Sequence, residues 1–262
     1  MKIALPLGLA LGLALSGSAL AADEAPHPKE VDWSFNGPLG KFDRAQLQRG
    51  FQVYKEVCAA CHGMKHVAFH ALSDEGGPGF SEAQVKALAS QVQIPAEPNA
   101  QGQTYSDAGE RLKRPGIVSD YMLSPFENDQ AARTANAGAL PPDLSLMAKA
   151  REGGPNYIYS IMTGYEEPPA GFQLVEGKHY NAYFAGHNLS MPKPLNENGV
   201  TFSDGTKASV DQQAKDVAAF LMWAAEPKLE QRKHIGTGVM IFLLGLSTLL
   251  FLAYRKLWTG QH

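Results

Sequence analysis

The stretch Cys58-Ala59-Ala60-Cys61-His62 constrains this chain more than any other part of its sequence. Two cysteines separated by two residues and followed at once by histidine form the attachment signature for c-type haem. The two thiols can add to the vinyl groups of haem, and the adjacent imidazole lies where it can bind the iron. The motif therefore predicts one haem c, covalently bound through two thioethers from Cys58 and Cys61, with His62 as an iron ligand.

Two other kinds of site use cysteines at this spacing: a thioredoxin-like redox dithiol and one half of a zinc site. A four-thiolate zinc site needs a second cysteine pair, and the chain has only two cysteines. A redox dithiol explains the thiols but leaves His62 as a coincidence. The haem interpretation accounts for all three residues and is preferred.

The amino terminus predicts a secretory signal peptide over residues 1–21. Lys2 precedes the apolar run Ile3–Leu15, and small residues suited to a cleavage site end at Ala21. A membrane span is the weaker alternative because the run is short. We expect the mature chain to begin near Ala22, which suits haem c because this haem is attached on the exported side of the membrane in bacteria.

A second apolar run predicts a membrane anchor near the carboxyl terminus. Ile235–Tyr254 contains no charged residue, and at 1.5 Å per residue it would span about 30 Å, the hydrocarbon thickness of a bilayer. Basic residues flank both ends, so the positive-inside rule does not decide the orientation. The signal peptide decides it: we expect an exported haem domain over 22–230, an anchor over 231–256 and a cytoplasmic tail over 257–262. A buried core helix is the alternative.

The charge balance of the exported part gives weak information about its partners. Of the 23 lysines and arginines, Lys2 lies in the signal peptide and Arg255 and Lys256 follow the span, which leaves 20 basic against 26 acidic residues. A modest acidic excess does not suit a nucleic-acid binder and is compatible with a basic soluble partner.

Two capped helices flank the haem motif in the predicted fold. Asp43 can cap a first helix whose Gly50 and Tyr54 lie eight and four residues before Cys58. Ser209 can cap the last helix before the span. Glycine and an aromatic at these two positions resemble the class I cytochrome c fold, in which they pack against the final helix.

The expected fold class is therefore mainly α: a class I cytochrome c-like haem domain with long loop insertions, plus one C-terminal transmembrane helix. The resemblance implies that Phe220 and Leu221 meet Gly50 and Tyr54 where the last helix crosses the first. Shorter helices are predicted for 81–92, 129–137 and 157–164.

Several segments resemble the cytochrome c1 family. The run Gly138–Ser145, with Arg133 five residues before it, is similar to the family's haem-proximal segment. Thr163–Tyr165 before Pro168–Gly171 and Ala214–Pro227 before the span also match. The matches cover most of 35–227 in the family's order. Many relatives carry further cysteines, including a disulfide pair, which this chain lacks.

Membership of this family would imply the haem subunit of a ubiquinol–cytochrome c oxidoreductase, the bc1 complex. Such a subunit takes one electron from the Rieske iron–sulfur protein and passes it to a soluble cytochrome c, with its anchor beside cytochrome b in a dimeric complex. It breaks no substrate bond. The expected location is the bacterial inner membrane, with the haem domain on the periplasmic side. Two rivals remain: a free-standing membrane-anchored cytochrome c that donates to an oxidase, and a haem peroxidase.

A sixth iron ligand is needed for electron transfer without ligand binding, and methionine is the ligand that raises the potential. Met64 is too near His62 to reach the opposite haem face, and Met240 is in the span. Three further methionines lie in helical patterns, where methionine more often fills core gaps: Met147, Met162 and Met222. These arguments leave Met122 and Met191.

The resemblance favours Met191, which stands in the loop Gly186–Gly199 where the family places its axial methionine. A bis-histidine haem is the rival, with a lower potential. The exported candidates are His66, His70, His179 and His187.

Other haem contacts follow from chemistry and from the resemblance together. His62 should donate its second ring N–H to a backbone carbonyl, because such a bond fixes the ring. Pro141 or Pro142 can accept it, since proline keeps its carbonyl, and Leu140 lies beside them. Arg133 matches a family arginine near a haem propionate, with an ordinary exposed helix arginine as the alternative.

Overall fold

Helices provide most of the regular structure in this computed structural model, which describes residues 25–260. The α-helices of this part are α1 (Arg44–Glu56), α2 (Glu82–Ser90), α3 (Asp129–Ala135), α4 (Met147–Ala150), α5 (Pro155–Thr163), α6 (Val210–Ala225) and α7 (Leu229–Trp258). Three antiparallel two-stranded sheets pair β1 (Met64–Ala68) with β4 (Tyr121–Met122), β2 (Gln93–Pro95) with β3 (Lys113–Pro115), and β5 (His179–Tyr180) with β6 (Asn188–Leu189). The mainly α fold class is confirmed. The predicted signal peptide, residues 1–21, lies outside the described residues.

Helix α1 begins at the predicted cap and ends at the haem motif. The Asp43 carboxylate accepts hydrogen bonds from the N–H groups of Ala45 at 2.9 Å and Gln46 at 3.3 Å, which satisfies donors that a helix start leaves free. The apolar face of the helix is buried in the core. One residue after α1, Cys58–Ala60 forms a single 3₁₀ turn. Because α1 is capped at Asp43 and ends at Glu56, the haem motif lies at the carboxyl end of this helix.

Helix α6 crosses α1, as the resemblance predicted. Ser209 caps it by accepting the Gln212 N–H at 3.1 Å. Phe220 is fully buried, and its ring centroid lies 5.6 Å from that of Phe51 and 5.9 Å from that of Tyr54. The predicted contact between Phe220 and Tyr54 is thus confirmed.

Gly50 sits at the point of closest approach between the two helices. A Cβ atom built there would lie 2.1 Å from the Asp216 carbonyl oxygen and 2.6 Å from the Cβ of Phe220. Because the first of these neighbours is backbone, α1 and α6 would have to separate. We expect Gly50→Ala to lower the free energy of unfolding by at least about 3 kcal/mol, the upper end of ordinary overpacking. Urea unfolding followed by far-UV circular dichroism measures the loss.

Gly236 provides the matched control, because it is also helical and a Cβ there meets no atom within 4 Å. Gly236→Ala should leave the unfolding midpoint of the haem domain unchanged. Equal stability of the two variants would mean that α1 and α6 do not approach as closely as Gly50 indicates.

A buried ion pair joins the two helices at the same crossing and was missed from sequence. The Arg49 guanidinium donates to both carboxylate oxygens of Asp216, with its Nε at 2.8 Å, and its Nη1 lies 2.8 Å from Asp204. The Asp216 side chain is fully buried. Removing Arg49 alone would leave a buried carboxylate without its cation, which is costly.

The first turn of α7 packs against the haem domain. Leu229 is buried, and the Glu230 carboxylate accepts the Phe42 N–H at 2.9 Å. The Lys233 ammonium donates to the Phe35 carbonyl oxygen at 2.5 Å. These contacts extend past residue 230, where the sequence placed the end of the domain.

The rest of α7 has the character of a membrane-spanning helix. The helix has 30 residues, its most apolar window has a mean hydropathy of 2.2, and none of that window is buried in the structure. At 1.5 Å per residue the helix is about 45 Å long, which exceeds the hydrocarbon thickness of a bilayer. Length and composition therefore allow α7 to cross a membrane.

The region 72–115, for which the sequence predicted only a helix over 81–92, also contains a β-hairpin. Ser81, the first residue of the predicted helix, caps α2, and a reciprocal bond with Gln84 reinforces the cap. The hairpin of β2 and β3 was not predicted. Strands of three residues are too short to show an alternating pattern, so sequence periodicity could not reveal them.

Candidate functional site

The haem motif forms one closed turn. The N–H groups of Cys61 and His62 both donate to the Cys58 carbonyl, at 3.1 Å and 2.9 Å. Both cysteines are half-buried, and neither forms a disulfide. The turn therefore keeps both thiols and the imidazole next to one another at the end of α1.

The electrostatics of Cys58 do not suit a redox dithiol. Burial, with a smaller contribution from Cys61, raises the pKa of the Cys58 thiol to about 12. Redox cysteines work as thiolates and sit where their pKa is lowered. For the zinc alternative, no group of three or more histidine, cysteine or acidic side chains in residues 25–260 is placed to hold a metal ion.

The His62 ring is oriented by a backbone carbonyl. Its Nδ1 lies 2.7 Å from the Pro142 carbonyl oxygen, and since a carbonyl can only accept, Nδ1 carries the proton. Burial lowers the pKa of His62, although the Pro142 bond and the Asp143 charge oppose this. The ring is thus a neutral tautomer whose Nε2 lone pair is free for a metal. The predicted bond to Pro141 or Pro142 is confirmed, at Pro142.

Two contacts made by the residues directly after Pro142 hold it over His62. The Leu144 N–H donates to the Gly63 carbonyl at 2.9 Å, and the Asp143 carboxylate accepts the Lys65 N–H at 2.8 Å. These bonds pin the predicted haem-proximal run to the residues that follow His62. Asp143 was missed from sequence, and its place directly after Pro142 was the available signal.

A cleft of about 980 Å³ lies beside the motif. Its lining includes the aromatic side chains Phe51, Tyr54, Phe69 and Phe126, the motif residue Ala59, Gly63 directly after His62, Met122, and the predicted Leu140, Pro141 and Pro142. Cys58, Cys61, His62, Arg133 and Met191 are not among the lining residues. The structure thus brings the predicted run 140–142 and the motif to one cleft.

Arg133 is exposed on α3, and its Nη1 donates to the Gly138 carbonyl at 3.1 Å. That bond ties the end of α3 to the start of the haem-proximal run. The role of Arg133 near a haem propionate stays a prediction.

Met191 lies two residues after β6 and is half-buried. Its carbonyl oxygen accepts a hydrogen bond from the Tyr165 hydroxyl at 3.0 Å. Further along the same segment, Leu195 is buried. The chain is therefore attached to the domain at Met191 itself and again at Leu195. Its role as an iron ligand stays a prediction.

Met122 is the methionine that lines the cleft, but its strand partner places it near His62. In the β1–β4 pair Met122 lies directly opposite Met64, and cross-strand partners have Cβ atoms about 5 Å apart. Met64 is two residues from His62. Met122 therefore shares the objection to Met64, because both lie close to His62.

The rival histidines differ in exposure. His66, His70 and His179 are exposed. His187 is buried at a backbone φ of 57°, and its ring stacks 5.4 Å from that of Tyr180. Its Nδ1 lies 3.1 Å from the Asn181 carbonyl oxygen. These contacts give His187 a structural role in the segment that leads to Met191.

The residues present fit a covalently bound haem. Two thiols outside any disulfide occupy one turn with a neutral imidazole whose Nδ1 is engaged, and a cleft lined in part by aromatic and proline side chains adjoins them. Thioether formation needs the two thiols, and an axial ligand needs the free imidazole nitrogen. Both are available from this chain.

Comparison with known proteins agrees with this chemistry. Residues 33–261 match the Cytochrome C1 family. The chain is 45% identical to cytochrome c1 of Rhodospirillum rubrum, covering 94% of this chain and 93% of that protein. It is 44% identical to a mitochondrial cytochrome c1 haem protein of Arabidopsis thaliana, covering 94% of this chain and 78% of that protein. It is 46% identical to the cytochrome b/c1 protein of Bradyrhizobium diazoefficiens over 100% of its own length, and spans 40% of that protein.

Proposed function

The chain belongs to the cytochrome c1 family, and from this premise we propose that it is the haem-bearing electron-transfer subunit of a cytochrome bc1 complex. The observation that carries the proposal is the His62 ring, held at Nδ1 by Pro142 beside two thiols of an attachment motif. The similarity to relatives named cytochrome c1 and cytochrome b/c1 supports the same conclusion.

Each residue of the site has a part in holding the cofactor. Cys58 and Cys61 would attach haem c through thioethers, and His62 and Met191 would be its axial ligands. When bound, the haem supplies an iron that takes up and releases one electron. The Pro142 carbonyl fixes the tautomer and orientation of His62 and makes the ring a stronger donor. Leu140, Pro141 and the aromatic lining would contact the haem ring, and Arg133 would balance a propionate charge.

The pathway of the electron follows from the family assignment. We propose that the Rieske iron–sulfur protein donates the electron and that a soluble cytochrome c receives it. The protein contributes position, potential and a docking surface, while no substrate bond is broken.

We propose that α7 anchors the chain in the bacterial inner membrane, with the haem domain on the periplasmic side, beside cytochrome b in a dimeric complex. The length and apolar composition of α7 support the anchor. The orientation rests on the signal peptide predicted for residues 1–21.

Purification of the full chain from its own membrane in mild detergent tests the function. Acidic acetone extracts b-type haem and leaves thioether-bound haem on the protein, so the two can be counted separately. We expect both in the purified material. A chain that carries its own haem c but never co-purifies with b-type haem would be the free-standing membrane cytochrome instead.

Truncation tests two things separately: whether α7 is the membrane anchor, and whether its first turn stabilises the haem domain. Chains ending after Lys228 or after His234 should both be water-soluble and carry haem, because neither contains the apolar run. The shorter chain also loses buried Leu229 and the bonds of Glu230 and Lys233. We expect its free energy of unfolding to be lower by about 2–4 kcal/mol, from the apolar area and hydrogen bonds removed.

Urea unfolding of the two truncated domains measures this difference. Equal stability would show that the first turn of α7 is not part of the haem domain. Retention of either truncated chain in membranes would contradict the assignment of α7 as the anchor.

A further inference from the structure

Residues 179–191, which contain the β5–β6 hairpin and Met191, are hydrogen-bonded at two places to α5 and the residues that follow it. Ala182 N–H donates to the Gly164 carbonyl at 3.0 Å. The buried Asn181 amide donates to the Ile161 carbonyl at 2.8 Å, and Asn181 also forms an isolated β-bridge with Tyr165. Asn181 is fully buried. The connection between β5 and β6 therefore keeps a fixed position relative to α5.

The second of these contacts is made to Met191 itself. The Tyr165 hydroxyl donates to the Met191 carbonyl at 3.0 Å. The Lys178 ammonium donates to the hydroxyl of the preceding residue, Ser190, at 2.7 Å. Tyr165, two residues after α5, thus holds the backbone of the proposed ligand Met191 by a hydrogen bond.

Tyr165 is suited to remain a donor. Its ring is half-buried, and burial raises the pKa of its hydroxyl. The hydroxyl therefore keeps its proton at neutral pH.

We propose that Tyr165 is a positioning residue for Met191: its hydroxyl bond to the Met191 carbonyl sets how readily an external ligand displaces the methionine from the iron. The inference rests on the proposed function, in which Met191 is an axial ligand. Displacement moves the thioether away from the iron, and movement of the backbone that carries Met191 is one route by which it can leave. A hydrogen bond to that backbone opposes the movement.

Imidazole binding to the ferric full-length protein in detergent is the test, because imidazole competes for the position of the methionine. Tyr165→Phe keeps the ring and removes only the donor. We expect imidazole to bind about 3- to 10-fold more tightly, the range that one net hydrogen bond gives. The matched control is Tyr159→Phe, which removes a hydroxyl bonded at 2.7 Å to Asp211 on α6 and should change the affinity less than about twofold.

A double variant separates positioning from a general structural effect. In the Met191→Leu background there is no thioether to displace, so adding Tyr165→Phe should leave imidazole affinity as it is in Met191→Leu alone. A further increase of similar size in both backgrounds would mean that Tyr165 acts on the cleft generally, and would overturn the proposal.

Two outcomes distinguish this inference from the proposed function. If Met191→Leu removes the sulfur-to-iron absorption band while Tyr165→Phe binds imidazole as the unmodified protein does, the positioning role fails and Met191 remains the ligand. If Met191→Leu leaves the band intact, the ligand assignment fails and the inference fails with it. Should Tyr165→Phe not fold, 3-fluorotyrosine at 165 keeps the hydroxyl as a stronger donor and should weaken imidazole binding, and tighter binding would contradict the proposal.

Discussion

Replacing Cys58 and Cys61 together by alanine should abolish covalent haem, so that acidic acetone removes all haem from the variant and none from the unmodified chain. The expectation follows from the cysteine count, because the chain has no third thiol that could form a thioether. Single replacements should each keep haem through one remaining thioether. Their reduced absorption band should shift to longer wavelength, since one vinyl group stays conjugated with the ring.

Ala60 provides the control for this experiment. It lies between the cysteines and is exposed, so Ala60→Ser changes the motif without removing a thiol. Haem should remain bound through the extraction. Haem that stays on the double cysteine variant would refute attachment by this motif.

Met191→Leu should lower the reduction potential by more than about 120 mV. Leucine keeps the bulk and removes the sulfur, so the fold and the thioethers should survive. The iron would then have five ligands or recruit water, Lys193 or His187, and each outcome loses the methionine's preference for ferrous iron. Since 59 mV changes a one-electron equilibrium about tenfold, such a fall would disfavour electron transfer from the proposed Rieske donor about a hundredfold.

Met122→Leu is the matched comparison, because Met122 lines the cleft and is the other methionine that sequence reasoning left open. The reduction potential of Met122→Leu should stay within about 30 mV of that of the unmodified protein, which corresponds to only about a threefold change in the one-electron equilibrium constant. Redox titration followed by absorption spectroscopy measures both variants. A large fall in Met122→Leu with an unchanged Met191→Leu would reverse the assignment of the ligand.

The parts of the fold that were predicted correctly depend on residues close together in sequence. Asp43, Ser81 and Ser209 each cap a helix by bonds to residues two or three positions away, and such bonds follow from residue type and spacing alone. The apolar run of α7 is likewise a property of one continuous segment. Sequence could therefore give these elements before any tertiary contact was known.

The crossing of α1 and α6 was predicted by resemblance, and its energetics were not. Gly50 and Phe220 are recognisable as a pair only in the class I arrangement. The ion pair of Arg49 with Asp216 joins residues 167 positions apart. No local pattern indicates that these two charges meet, because each also fits an exposed helix surface.

The residues of the predicted haem site are visible in the sequence, because two thiols and an imidazole stand there at the spacing used for covalent attachment of haem c. The sequence gives no means of choosing between Pro141 and Pro142 as the partner of His62, 80 residues away, or of finding the bond from the Tyr165 hydroxyl to the Met191 carbonyl, and both came from the structure. The difference is one of register. Hydrogen bonds act over about 3 Å, so which of two adjacent carbonyls meets a ring depends on how the bonds of Asp143 and Leu144 fix the whole segment.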